Sequence, residues 1–490
     1  MAPQMLQSSG IVSASTHTGP QGPTVAIVGA GASGSLVAAQ LLRRPQRAGL
    51  RVVLIERRER IARGVAYSTD NPQHRLNVPA GAMGGLPRDP HHFVRWANAR
   101  GHELGPEDFA PRGLYGDYLA CLLDDAERSA QPGVELDRRH DEAISVRVVE
   151  DSDPAGMVIE LASGATVVAQ HLVLALGNLP PATPPGADAE LLASSRYERN
   201  PWDVGLPARA ATDDTVLLIG TGLTMVDVAL ALGEQESPKE ILAVSRNGLL
   251  PAGHRRGLAP PNRWFELPPS EVKLAEMTAQ LMDEIANVER DNGDWRQVVD
   301  GLRPDTNRIW HRLSEGDREE FVRHVARRWD VARHRMAPEI AASLDSLRSE
   351  GRLRLVQGSL ESTRLSDAGI EVTIAVGEEE SSQFQADRVV NCTGPTLDLS
   401  RAGEPLIDGL LEAGHVRRGP LGLGLDHDSR GVLLDSAGAP ATMLSTIGPM
   451  RKGCLWETTA IPEIRLQAVE LADQITAQME ASSARLAASA

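Results

Sequence analysis

Cysteine and lysine are scarce in this chain. Of its 490 residues only three are cysteine, at Cys121, Cys392 and Cys454. None stands in a Cys-x-x-Cys pair, which disfavours both a disulfide framework and a thioredoxin-like redox centre. Lysine occurs only at Lys239, Lys273 and Lys452, so arginine carries nearly all the positive charge. No basic run offsets a formal net charge of −16, which argues against nucleic acid or an anionic membrane as the main partner. The first 22 residues, rich in Ser, Gly, Pro, Thr and Gln, lack the basic start and apolar core of a signal peptide and are expected to be a disordered tail. The longest apolar run, 215–232, is broken by Gly220, Gly222 and Asp227 and parses as strand, turn and helix instead of a membrane span. No histidine has acidic or cysteine partners at ligand spacing, so no metal site is expected. A cytoplasmic protein of two or three domains, able to bury a cofactor between them, fits these bounds.

Three zones separate along the chain. From about residue 23, short β-branched runs alternate with helical stretches, and a second α/β pattern starts near Asp213. Between roughly 266 and 350 the character changes to long charged helices, rich in Arg and His. Strand-like runs then return, and an amphipathic helix closes the chain after Pro462. The expected fold class is α/β, with two Rossmann-like dinucleotide-binding domains and a helical insertion.

The run Thr24 to Val28 reads as a buried parallel strand. It leads straight into Gly29-Ala-Gly31-Ala-Ser33-Gly34 and a helix, which is G-x-G-x-x-G in the context its chemistry requires. The first glycine permits the turn, the second admits a pyrophosphate, and the third allows close helix–strand packing. A second strand ends in Glu56, an acid placed to accept ribose hydroxyls and to repel a 2′-phosphate despite the adjacent Arg57. FAD or NAD is therefore expected here.

A second fingerprint follows the strand Thr215 to Ile219. Gly220-Thr-Gly222-Leu223-Thr224-Met225 keeps the two glycines that shape the turn and replaces the third by methionine. The next strand ends in Ser245-Arg246, a hydroxyl and a guanidinium suited to a 2′-phosphate, so NADPH is expected at this site.

Two such units, with strand-to-glycine junctions ending at Gly177 and Gly394, resemble the two-dinucleotide-binding flavoproteins. That resemblance implies FAD on a discontinuous domain, residues 23–205 and 386–490, and NADPH on a domain inserted within it, residues 206–385. More narrowly, the stretches Gly64-Val-Ala-Tyr-Ser-Thr69, His74-Arg-Leu-Asn-Val-Pro79, Asp89-Pro-His-His-Phe93, Trp329-Asp-Val-Ala-Arg-His-Arg-Met-Ala-Pro338 and Trp456-Glu-Thr-Thr-Ala-Ile-Pro-Glu-Ile-Arg465 resemble a YdhS-like FAD/NAD(P)-binding family. The resemblance implies that Gly64, Ala66, Tyr67, Asn77 and Val78 line the FAD and that 448–459 closes over the flavin, with Trp456 as a stacking plane.

Two nucleotides imply hydride flow from NADPH to flavin. With no dithiol to receive the electrons, molecular oxygen is the expected acceptor, as in flavin monooxygenases that oxidise nitrogen or sulfur in small molecules. A small polar, amino-acid-like substrate oxygenated on nitrogen is the first expectation. The alternatives are an NADPH-dependent reductase with another acceptor and a flavin-bound scaffold whose helical insertion docks a partner. Arginines of that insertion, Arg303 to Arg335, either receive an anionic substrate or form an ion-paired surface.

Overall fold

The computed structural model describes residues 22–45, 49–149, 156–259, 261, 263–377 and 380–489. The expected N-terminal tail lies outside these except for residue 22. In chain order the strands of the two main sheets are β1 (Thr24–Val28), β2 (Leu50–Glu56), β3 (Val134–His140), β4 (His171–Leu174), β5 (Tyr197–Glu198), β6 (Thr215–Ile219), β7 (Glu240–Ser245), β8 (Leu353–Gln357), β9 (Arg388–Asn391), β10 (Val432–Leu434) and β11 (Pro440–Thr446). Four helices carry the argument: α1 (Ala32–Leu42), α2 (Leu223–Gly233), α3 (Ala326–Arg333) and α4 (Ile461–Ser489).

The first sheet runs β10–β11–β4–β1–β2–β3, parallel except for the β10–β11 pair. The second runs β8–β7–β6–β9–β5 and is parallel throughout. β1 is buried at every residue, as a central parallel strand covered on both faces must be. α1 is buried along almost its whole length because it is wedged between this sheet, the helix Arg112–Arg128 and α4. Its mostly small and apolar sequence follows from that position.

Each unit repeats one plan: strand, glycine turn, helix, strand, a third parallel strand, a three-stranded antiparallel sheet, then a return strand. The small sheets span Ala143–Ala169 and Ser359–Ala386 and feed β4 and β9 respectively. In the second unit the helical insertion lies within the crossover from β7 to β8, where a parallel pair needs a long connection. Its last helix, Pro338–Ser349, packs on α2 through Ile340, Leu344 and Leu347. That helix therefore belongs to the α/β unit, and the insertion is shorter than the 266–350 expected.

The expected boundaries at 205 and 386 are also corrected. β5 and β9 lie outside 206–385, yet both hydrogen-bond into the second sheet. The reason is that β9 is buried at all its residues and requires neighbours on both sides. Arg388 reinforces the joint, its guanidinium bridging Glu198 and Asp213 at 3.0 and 2.7 Å in a buried setting.

The two units are tied across their interface by Arg112 and Asp227, an ion pair at 2.7 Å with both side chains largely buried. Burial pushes the Asp227 carboxyl up, and Arg112 opposes that shift. His254 Nε2–H donates to the Asn77 carbonyl at 3.0 Å, also across the interface.

Candidate nucleotide-binding sites

Register places the first site. Val28 pairs with both Ile55 and Leu174, so β1, β2 and β4 end level and Gly29, Glu56 and Ala175 emerge side by side. This is where the strand order reverses, the crevice in which open α/β sheets bind ligands. A cavity opens there, lined among others by Gly29, Gly31, Ser33, Glu56, Arg57, Gly64, Ala66, Tyr67 and Gly177.

The glycines are required by close approach. Gly29 sits at φ +95°, and a Cβ there would lie 2.3 Å from the Ala175 carbonyl oxygen; one on Gly34 would lie 1.9 Å from the Gly29 oxygen. Gly31 and Gly64 face each other, each leaving about the room of a Cα for the other, since a Cβ on Gly31 would stand 3.3 Å from Gly64 Cα. Nothing in the local pattern anticipates that second contact. Gly31 is an extended N-cap, and no side chain caps α1. The first N–H groups of α1 are thus left for an anion.

Glu56 is 4 % exposed, and its two oxygens accept from the backbone N–H groups of Ala30 and Arg58, both at 2.9 Å. Each oxygen keeps a further lone pair for a hydroxyl. Arg57 reaches the cavity rim but is held by Glu142 and Glu404. Burial pushes the Tyr67 phenol up to about 12, and its ring packs edge-on against Tyr115 at 4.8 Å.

The chain's far end completes this wall. Pro449, Thr459, Ile461 and Ile464 line the cavity, and a Cβ on Gly448 would stand 2.8 Å from Ser33 Oγ. Trp456 is not among the lining residues. It is 6 % exposed inside a cluster with Trp310 and Phe321, both rings 4.9 Å away, with the Lys452 ammonium 3.8 Å over its face. Asn77 and Val78 also lie off the cavity lining, and the Asn77 carbonyl is engaged by His254.

The second site repeats the first. Ile219 pairs with Val244 and Asn391, so Gly220, Ser245 and Cys392 emerge together. Gly220 has φ +105°, and a Cβ on it would lie 2.5 Å from the Cys392 carbonyl oxygen. Gly222 is an extended N-cap with no side-chain cap on α2, whose first residues are Leu223 and Thr224. Met225, at the third-glycine position, is fully buried in the core of the second unit. Ser245 Oγ contacts Thr221 Oγ1 at 2.7 Å, while Arg246 is exposed and, among the described residues, makes no side-chain hydrogen bond or ion pair. Gly394 sits at φ +85° just beyond β9 with open space where a Cβ would stand.

Two other groups bear on chemistry. Burial beside Arg335 pulls His254 down to about 4, so it is neutral at pH 7 with its Nε2–H committed to Asn77. The cysteines are all free, and burial pushes the Cys392 and Cys454 thiols up, away from thiolate chemistry. Among the described residues no group of side chains fits a metal ion, and no helix is long and apolar enough to cross a membrane.

Two mainly parallel sheets, each with an uncapped glycine turn at its switch point, define a fold of two Rossmann-like, dinucleotide-binding-type units. Residues 26–179 match a protein family described as FAD-NAD(P)-binding. The solved ornithine N-hydroxylase of Kutzneria sp. 744 covers 93 % of this chain and is itself 99 % covered, with TM-score 0.61 and 15 % identity. An ornithine hydroxylase from Pseudomonas aeruginosa gives TM-score 0.63 at 15 % identity, with 93 % and 99 % coverage. The FAD-bound cadaverine monooxygenase from Erwinia amylovora gives 0.63 at 13 %, with 92 % and 94 % coverage. At these identities the likeness is one of fold. Among curated proteins, the nitrosuccinic acid synthase of Aspergillus oryzae is 30 % identical over 146 residues, and the chain spans only 21 % of its length.

Proposed function

We propose that this chain is an FAD-dependent, NADPH-consuming monooxygenase that oxygenates the nitrogen of a small, polar, amino-acid-like amine. The observation that carries the reading is the pair of equivalent, uncapped glycine turns in a chain with no paired cysteines. Likeness over nearly the whole chain to hydroxylases of ornithine and cadaverine supports amines as the substrate class. The nitro-acid named as the product of the Aspergillus oryzae protein points to nitrogen as well.

In this reading the cavity of the first unit holds FAD. Gly29, Gly31, Ser33 and Gly34 receive its pyrophosphate at the N-terminus of α1, Glu56 takes the adenosine ribose, and Gly64, Ala66, Tyr67 and Gly177 form the walls. Pro449, Ile461 and Ile464 exclude water from that wall. The second unit holds NADPH on Gly220, Gly222, Leu223 and Thr224, with Ser245 and Arg246 reading the 2′-phosphate. When bound, the flavin supplies hydride acceptance and the activation of molecular oxygen. The cytoplasm, where thiols stay reduced, is the compartment that suits a chain with free cysteines.

A panel of diamines, amino acids and acidic amino acids tests the reading. One of them should stimulate NADPH oxidation and give a hydroxylamine or more oxidised nitrogen, and turnover that proceeds equally well without oxygen would defeat it. Arg246→Ala should raise the apparent NADPH constant roughly 10-fold or more while leaving NADH nearly unchanged, because only NADPH carries the charge Arg246 would meet. Equal losses with both nucleotides would show a structural role instead.

A further inference from the structure

Several arginines of the helical insertion are matched to acids, Arg303 to Glu463, Arg308 to Asp305, Arg333 to Glu457 and Arg335 to Asp300, whereas others such as Arg312 and Arg318 bond to carbonyls of the insertion itself. Arg327, in the first turn of α3, reaches out of the insertion to the second glycine turn. Its Nη2 donates to the carbonyls of Thr221 at 3.1 Å and Leu249 at 2.8 Å and to Thr221 Oγ1 at 3.3 Å. None of these partners is charged, and among the described residues no carboxylate forms an ion pair with this half-buried guanidinium. Among the described residues its Nε–H and Nη1–H donors have no hydrogen-bond partner, and Nη1 lies 3.7 Å from where a Cβ on Gly222 would stand. An unmatched guanidinium therefore hangs over the turn whose helix, α2, has no side-chain cap.

We infer that Arg327 is a clamp on the pyrophosphate of the pyridine nucleotide, supplied to the second fingerprint by the helical insertion. The inference rests on the reading of the second unit as a pyridine-nucleotide site and adds a residue that neither the glycine motif nor the strand-end pair contains. Three carbonyl and hydroxyl contacts hold Nη2, leaving the Nε–H and Nη1–H donors to meet phosphate oxygens singly, with the positive charge fixed beside the turn. The same short helix ends in Arg333, whose partner Glu457 belongs to the segment that walls the first cavity. α3 thus touches the second glycine turn with one end and, with the other, Glu457, two residues before Thr459 of the first cavity's wall.

The pyrophosphate is common to NAD⁺ and NADP⁺, whereas the 2′-phosphate belongs to NADP⁺ alone. That difference separates Arg327 from Arg246. Binding of NADP⁺ and NAD⁺ to the oxidised holoenzyme is measured by titration of intrinsic fluorescence or by calorimetry, with FAD content and thermal midpoint recorded for each variant. Arg327→Met should weaken both nucleotides by a similar factor, roughly 10- to 100-fold for loss of a charge-assisted phosphate contact. Arg327→Lys should fall between, since it keeps the charge but loses the planar, fixed set of donors. Arg246→Ala should weaken NADP⁺ only. If Arg327→Lys keeps its FAD and thermal midpoint and binds both nucleotides as the wild type does, or if only NADP⁺ suffers, the clamp is overturned while the nucleotide site stands. If the wild-type holoenzyme binds neither nucleotide, the site and the clamp fall together. A variant that loses FAD and midpoint as well as nucleotide binding would make Arg327 a loop staple and would equally overturn the clamp.

Discussion

Replacing Gly34 by alanine is expected to give a colourless protein. The new methyl would stand 1.9 Å from the Gly29 carbonyl oxygen and 3.2 Å from Ile27 Cγ2, so α1 must retreat from β1 or the fingerprint turn must open. The obstacle is backbone and cannot swing aside as a flexible side chain would. Overpacking of this kind costs typically about 1–3 kcal/mol and more where backbone must move. Here it also moves the uncapped N–H groups that would meet the FAD pyrophosphate. Flavin per chain, measured from the absorbance of released cofactor, should fall by an order of magnitude or more. Gly409→Ala is the matching control: it adds a methyl inside the helix Pro405–Glu412, where nothing lies within 4 Å, and should leave the flavin content unchanged. Full flavin content in the Gly34 variant would remove the first fingerprint from the site.

The second large effect concerns Glu457. Its carboxylate meets Arg333 Nε at 3.0 Å, with side chains 4 % and 8 % exposed, and Asn307 holds its backbone N–H and carbonyl at 2.7 and 2.8 Å. Burial lowers the Arg333 guanidinium, with Glu457 the main opposing influence. Truncating one partner of such a pair leaves a buried, unmatched charge, which costs about 3–5 kcal/mol. Glu457→Ala should therefore lower the chemical-denaturation midpoint sharply. The double variant Arg333→Met, Glu457→Leu should recover much of the loss, because the penalty lies in the stranded charge and not in the absence of the pair. If the double variant is as unstable as the sum of the single ones, the pair contributes favourable attraction beyond this account.

The parts of the site that were legible in the sequence are those held by short-range chain geometry. Thr24 to Glu56 carries strand, turn, helix, strand and acid in one continuous stretch, and each falls where its pattern placed it. The second unit was legible for the same reason, down to the methionine at the third-glycine position, which the structure buries in the core. What was not legible depends on contacts between distant segments. Gly64 had no visible reason to be glycine until Gly31 was found against it. Arg327 is 106 residues from Thr221, and one more arginine in an Arg-rich insertion gives no local sign that its partners are carbonyls. The unit boundaries slipped because β5 is only two residues long, too short to show a pattern, and because β9, legible as a strand, carries no sign of which sheet it joins, which pairing alone reveals. Trp456 illustrates the ambiguity of an aromatic in an apolar stretch: a stacking surface and a core residue look alike in sequence, and the cluster with Trp310 and Phe321 is what distinguishes them.

Central to the account is that electrons drawn from NADPH meet molecular oxygen, and that one oxygen atom ends on a substrate nitrogen. Turnover of the purified holoenzyme under ¹⁸O₂, with an amine that stimulates NADPH oxidation, tests this directly by mass spectrometry. The account predicts one labelled oxygen atom in the first oxidised product, with less peroxide released in the presence of substrate than in its absence. Unlabelled product, or product formed at full rate under argon, would contradict it and establish a reductase with a different acceptor.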